Sequence, residues 1–141
     1  MSTQSVTVYV LPTQGAFLHG NAVTDMGVWL ASPPFLHVPF DQMRAELWPK
    51  VLEVLSQPSK KVPHPSRFDQ LDTLYAMASC KSWKQFAKNA IYCMVIRIFD
   101  EIQIVPGKWD GKMFTHSREY ARRFKIDDPM ANRALLEFLE E

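Results

Sequence analysis

The stretch from Ser82 to Pro106, SWKQFAKNAIYCMVIRIFDEIQIVP, constrains this chain more than any other. Ser82 is placed to cap a helix, because its hydroxyl accepts a bond from one of the first unpaired N–H groups. Trp83, Phe86, Ala87 and Ala90 then fall at i, i+3, i+4 and i+7, the buried stripe of a short amphipathic helix. That stripe predicts a Trp83 buried between the helix and a sheet. Strand-forming residues follow from Ile91 to Phe99, and after Asp100-Glu101 a second run extends from Ile102 to Val105. Two such runs around two acidic residues read as a hairpin. Asp-Glu is not a favoured two-residue turn, so the loop has room for a flanking residue. Pro106 has no N–H for a ladder and is expected to end the second strand.

The rest of the chain supplies what this unit packs against. Ser5 to Leu11 alternates, with Val6, Val8 and Val10 on one face and Thr7 and Tyr9 on the other, and reads as a first strand stopped by Pro12. A short second strand is expected over Ala16 to Leu18. Gly27 to Ala31 and Phe35 to Val38 read as two further extended segments, with Ser32-Pro33-Pro34 between them marking a sheet edge. Asp41 is an N-cap candidate for a helix in which Met43, Leu47, Val51, Val54 and Leu55 recur at helical spacing. Pro49 inside that pattern predicts a kink or a later start. Pro58 to Pro65 is a loop, and Ser66 begins another helix carrying Phe68, Leu71, Leu74, Tyr75 and Ala78.

After the hairpin, Gly107 to Lys112 reads as a polar loop around Trp109, and Phe114 to Phe124 as one or two helical turns. Asp128-Pro129 is a strong start for a last helix lined by Ala131, Ala134, Leu135 and Phe138. Strands, helices, a hairpin and a helix in that order predict an α+β fold. We expect one domain over residues 1–141, an antiparallel or mixed β-sheet with helices packed on it.

Chemistry is harder to find. His19, His37, His64 and His116 stand at no metal-ligand spacing, and no metal or cofactor is expected. Cys80 and Cys93 suggest no disulfide framework; Cys93 reads as a small buried hydrophobe, and no catalytic frame surrounds Cys80. Phosphate loops and nucleophile elbows are missing from the sequence. The carboxylates Asp100-Glu101 and Asp127-Asp128 are adjacent pairs, whose members would project to opposite faces of a strand, and they suit turns and caps. No catalytic residue is assigned, and the chain is not expected to be an enzyme. Sixteen Lys and Arg against fifteen Asp and Glu leave +1, which gives no global field for nucleic acid or anionic lipid. A local alternative remains in Arg118, Arg122, Arg123 and Lys125, interleaved with Tyr120 and Phe124, an arrangement able to hold phosphate and stack bases. Without a basic leader or an apolar run of bilayer length, a soluble cytoplasmic location is expected.

The SWKQF helix leading into a strand, a turn and the IQIVP strand resembles the second half of immunity proteins from contact-dependent growth inhibition systems of Gram-negative bacteria. The closing helix, Asp127-Asp128-Pro129 through Leu139, acidic at its start and rich in alanine and leucine, is similar too. This resemblance covers about Ser79 to Glu141. It implies a small cytoplasmic protein that binds the C-terminal toxin domain of its cognate effector, often a nuclease, and blocks it without catalysis. With a net charge of +1, any complementarity to the partner is local. Trp109, between glycines and charges, either folds back over the open end of the hairpin or stands out as an aromatic anchor beside Asp110. Asp100 and Glu101 join the contact if the toxin sits at the other end of the hairpin.

Overall fold

Alternating Val6, Val8 and Val10 put one apolar face on β1 (Gln4–Leu11), and Tyr9 and Leu11 are buried on the other in the computed structural model. Residues 4–27, 29–57, 61–63, 72–111, 114–116 and 118–139 are described. A strand buried on both faces belongs at the centre of a sheet, and β1 lies between β2 (Gly15–Thr24) and β5 (Ile91–Ile98). Beyond β2 comes β3 (Trp29–Pro39); beyond β5 comes β6 (Glu101–Trp109). The outer side of β6 is shared by β8 (Arg122–Lys125), which pairs with Glu101–Ile104, and β7 (Phe114–His116), which pairs with Gly107–Trp109. A short β4 (Lys61–Val62) runs parallel to the end of β2; every other pairing is antiparallel. The fold is α+β: among the described residues, an eight-stranded sheet with helices on both faces.

One face packs Val6, Val8, Leu18, Val95, Ile102 and Ile104 under α1 (Met43–Leu55) and α4 (Met130–Leu139). The other is aromatic: Tyr9, Phe17 and Tyr92 meet α2 (Asp72–Met77) and α3 (Trp83–Ala87). Gly20 sits where a Cβ would lie 3.3 Å from Val54, so its bare backbone lets α1 settle close to β2. The predicted stripe of α1 is buried, with Trp48 added; in α4, Ala131, Ala134 and Leu135 are buried as expected, Phe138 only partly so, and Leu139 takes the last buried place. Asp128 caps α4, its carboxylate accepting a bond from the Met130 N–H at 2.9 Å.

Several expectations are corrected. The second strand runs to Thr24, well past Leu18, because Gly20 and Asn21 answer to packing and hydrogen bonding rather than to a turn. The two proline-flanked segments are one edge strand, β3; its register jumps from His19 opposite Phe35 to Gly20 opposite Ser32, leaving Pro33 and Pro34 outside the pairing. Asp41 lies in a 3-10 turn (Phe40–Gln42) and does not cap α1, and Pro49 is exposed within α1, where Leu47, Trp48 and Val51 are buried around it and hold the helix together despite one missing bond. Pro106 does not end β6. It falls between the residues paired with β8 and those paired with β7, outside both of these pairings among the described residues. Of the one or two helical turns expected over Phe114 to Phe124, one is present as a 3-10 turn (Arg118–Tyr120), and strands β7 and β8 stand on either side of it. The Pro58–Pro65 loop falls largely outside the described residues, as do Ser66, Phe68 and Leu71.

Ser82 caps α3 as expected, its Oγ accepting the Gln85 N–H at 3.1 Å, while the Gln85 side chain accepts the Lys81 N–H at 2.7 Å. Trp83 is only half-buried, and Phe86 takes the fully buried place instead. The helix is five residues long, so its first residue lies at the lip of the packed region. Ser82→Ala is expected to destabilise the protein by about 1 kcal/mol, the usual size of a lost N-cap, read as a lower urea midpoint at unchanged slope.

Candidate interaction surface

The four residues singled out for partner binding lie at opposite ends of β6. Trp109 is its last residue, half-buried and paired with Phe114; Asp110 follows, exposed, before the left-handed Gly111 (φ 103). Glu101 is the first residue of the same strand, opposite Ile98 on one side and Lys125 on the other. Asp100 precedes it in the loop. Glu101 and Trp109 are about 26 Å apart at roughly 3.3 Å per residue, so one small contact cannot use both ends.

At the Asp100 end, the hairpin turns through two residues, Phe99 and Asp100, rather than through Asp100-Glu101. Phe99 adopts φ 60 at the first loop position, where glycine is usual. Three contacts pin the turn. The Arg97 Nε donates to the Phe99 carbonyl at 2.8 Å, the Ile126 N–H donates to the Asp100 carbonyl at 2.8 Å, and the Lys125 ammonium lies 3.4 Å from the Asp100 carboxylate. Phe99 itself is 67% exposed and Ile98 47%. This aromatic was missed in the sequence, where it passed for the last residue of an apolar strand. The available sign was an aromatic in a turn position that ordinarily takes Asn or Gly.

The basic segment is less open than its sequence suggests. Arg122 reaches Glu137 of α4 at 3.2 Å, with its guanidinium also over the Phe124 ring, and Lys125 is held by Asp100. Glu137 binds Arg133 as well, at 3.3 Å. Alternation along β8 turns Arg122 and Phe124 toward α4 and Arg123 and Lys125 to the other face, so the cations do not form one stripe.

The buried titratable groups are engaged internally. His19 Nδ1 lies 2.7 Å from the Gly20 carbonyl, which only accepts, so Nδ1 carries the proton. His19 Nε2 is then the acceptor for the Tyr9 hydroxyl at 3.1 Å. Burial holds His19 down to about 4 and pushes the Tyr9 hydroxyl well up. Burial likewise raises the Cys93 thiol and the Tyr92 hydroxyl, so neither ionises near neutrality. His37 is exposed at the edge and stacks on Phe17, ring centroids 4.3 Å apart. His64 lies outside the described residues. Cys80 and Cys93 are both free thiols. Among the described residues no three His, Cys, Asp or Glu side chains gather as a metal site would need, and no helix is long and apolar enough to cross a membrane.

No family model matches the sequence, and no curated protein matches it. Solved structures do. A protein of unknown function from Neisseria meningitidis superposes with a TM-score of 0.74 at 13% identity, over 98% of this chain and 93% of that one. A chain of the CdiA-CT/CdiI toxin and immunity complex from Yersinia pseudotuberculosis superposes with a TM-score of 0.73, also at 13% identity, over 99% of this chain and 97% of that one. The likeness is one of fold. It reaches nearly end to end in both comparisons, beyond the second half on which the sequence resemblance rests.

Proposed function

We propose that this chain is an immunity protein: it binds the C-terminal toxin domain of a cognate contact-dependent growth inhibition effector and neutralises it stoichiometrically, without catalysis. The observation that carries this reading is the near-complete fold match to a chain of a toxin and immunity complex. It agrees with the independent resemblance of the SWKQF–hairpin–helix segment. The internal engagement of His19 and Tyr9 and the neutral, buried Cys93 also fit a protein that acts through its surface. A cytoplasmic site of action and a nuclease as the toxin belong to the same proposal.

The test is to ask whether a large exported protein with a variable C-terminus is encoded immediately upstream, and to co-express the chain with the C-terminal domain of that candidate. Growth rescued in cells producing that domain, together with a co-purifying complex of fixed stoichiometry, is the expected result. Absence of both, or growth arrest caused by the present chain alone, would overturn the proposal. In parallel, a salt titration with DNA and RNA is expected to show no measurable binding even at low salt. A steep loss of affinity with rising salt would instead favour the Arg118–Lys125 segment as a phosphate-binding element.

A further inference from the structure

The immunity reading leaves open which surface meets the partner. Resting on that reading, we infer that the tip of the β5–β6 hairpin is the gripping surface. Phe99 is its anchor, and the concavity beside it is the socket for an apolar side chain of the protein partner.

Phe99 is held in a left-handed conformation that an aromatic residue adopts only at a cost, yet its ring is two-thirds exposed. Folding gains little from a ring so placed. The backbone around it is nevertheless tied down by the Arg97 and Ile126 hydrogen bonds, with the exposed Lys125–Asp100 ion pair beside them, so the Cα–Cβ direction of the aromatic is set in advance. An anchor fixed in advance loses little entropy on binding, the condition under which an exposed aromatic contributes most. Next to it lies a concavity of about 280 Å³ lined in part by Ile96, Ile98, Gln103 and Arg123. Exposed Phe40 and Met26 stand elsewhere; at the tip, Ile98 and Phe99 are adjacent and continue into this hollow.

The charges choose the class of partner. Asp100 and Glu101 stand against Arg123 and Lys125, two of each sign around an apolar centre. With two charges of each sign the tip carries no net charge, so it offers a phosphate backbone no net attraction. A protein surface with an apolar residue at its centre and mixed charge around it fits, with a cation placed toward Glu101 because Asp100 is already bridged by Lys125.

Phe99→Gly separates anchoring from folding, since glycine relaxes the positive φ while removing the ring. Affinity for the candidate toxin domain of the co-expression test would be measured by titration calorimetry for the wild type, Phe99→Gly, Glu101→Lys and the control Phe40→Ala. Expected are an unchanged or raised thermal midpoint for Phe99→Gly, a loss of affinity of about 30-fold or more, and wild-type binding by the control. Glu101→Lys is expected to lose at least about tenfold, through repulsion of the partner's cation. Binding of Phe99→Gly within about threefold of wild type would place the grip elsewhere while leaving the immunity reading intact; Trp109→Ala and Asp110→Ala then test the opposite end of β6. A marked fall in the stability of Phe99→Gly would make Phe99 structural and overturn the inference. If the wild type does not bind the domain, the immunity reading itself falls, and the tip with it.

Discussion

Phe86→Ala is expected to cost about 3–5 kcal/mol of folding stability, the range for an aromatic truncated in a packed interior. Phe86 is fully buried in the aromatic cluster under α2 and α3. Its ring meets Tyr9 edge-on at 5.3 Å and Phe17 at 5.7 Å, and stacks on Trp83 at 5.3 Å. Alanine there removes three ring contacts at once. Because α3 is so short, its backbone gives little local stability to resist the loss. A cost of that size is a large part of the roughly 5–15 kcal/mol that holds a domain folded. Trp83→Ala should cost less than Phe86→Ala, because Trp83 already exposes part of its ring to water. Urea unfolding of the two variants checks this order. A Phe86→Ala variant within about 1 kcal/mol of wild type, or one more stable than Trp83→Ala, would contradict the packing of α3.

Much of this architecture was legible in the sequence, and the exceptions have physical causes. The α4 stripe, the Ser82 cap and the β5–β6 hairpin could be read because each rests on local spacing and capping chemistry. Pro106 could not. A proline weakens a strand only where its missing N–H faces a neighbour, and whether a neighbour stands there depends on β7 and β8, which lie later in the chain. Gly20 and Asn21 lay beyond the expected end of the second strand, and their places in it depend on partners elsewhere in the chain. Gly20 makes room for α1, and the Asn21 amide donates to Ser5 and Thr7 of β1 at 2.9 and 3.1 Å. Arg122 to Lys125 reads as a helical face until Glu101–Ile104 is available to pair with it.

The candidate surface was less legible than the fold. Residue type alone pointed to Trp109, an aromatic among glycines, but pairing with Phe114 draws that residue into the sheet and half-buries it. Phe99 sits in an apolar run that looks like core. Only the register, Ile98 opposite Glu101, moves it into the turn and out to solvent. Exposure of an apolar residue is settled by strand register, and register is a tertiary property.

Register also creates the buried hydrogen bond behind the second large effect, a loss of stability in mild acid that originates at His19. The sheet brings His19 of β2 onto the Tyr9 hydroxyl of β1, buried to 2% exposure, with the Gly20 carbonyl on Nδ1 and the Phe35 ring at 5.9 Å. In this setting the ring holds its neutral form down to about 4, against 6.5 when unfolded. Above pH 6.5 both states are neutral and the difference contributes nothing. As the pH falls from 6.5 toward 4, the unfolded chain takes up a proton that the folded one excludes, so stability declines with it. Each unit costs about 1.4 kcal/mol, giving a total of about 3 kcal/mol before the folded state protonates too and the decline levels off. A proton on Nε2 would face the Tyr9 hydroxyl proton, which must then turn away, so the penalty has a structural origin as well as a dielectric one. Urea unfolding at pH 7.5 and pH 4.5 should therefore show the wild type much weaker in acid. In His19→Gln, weaker at neutral pH, the difference between the two pH values should shrink by about 2–3 kcal/mol. An equal acid sensitivity in both proteins would mean that His19 takes up its proton as readily folded as unfolded.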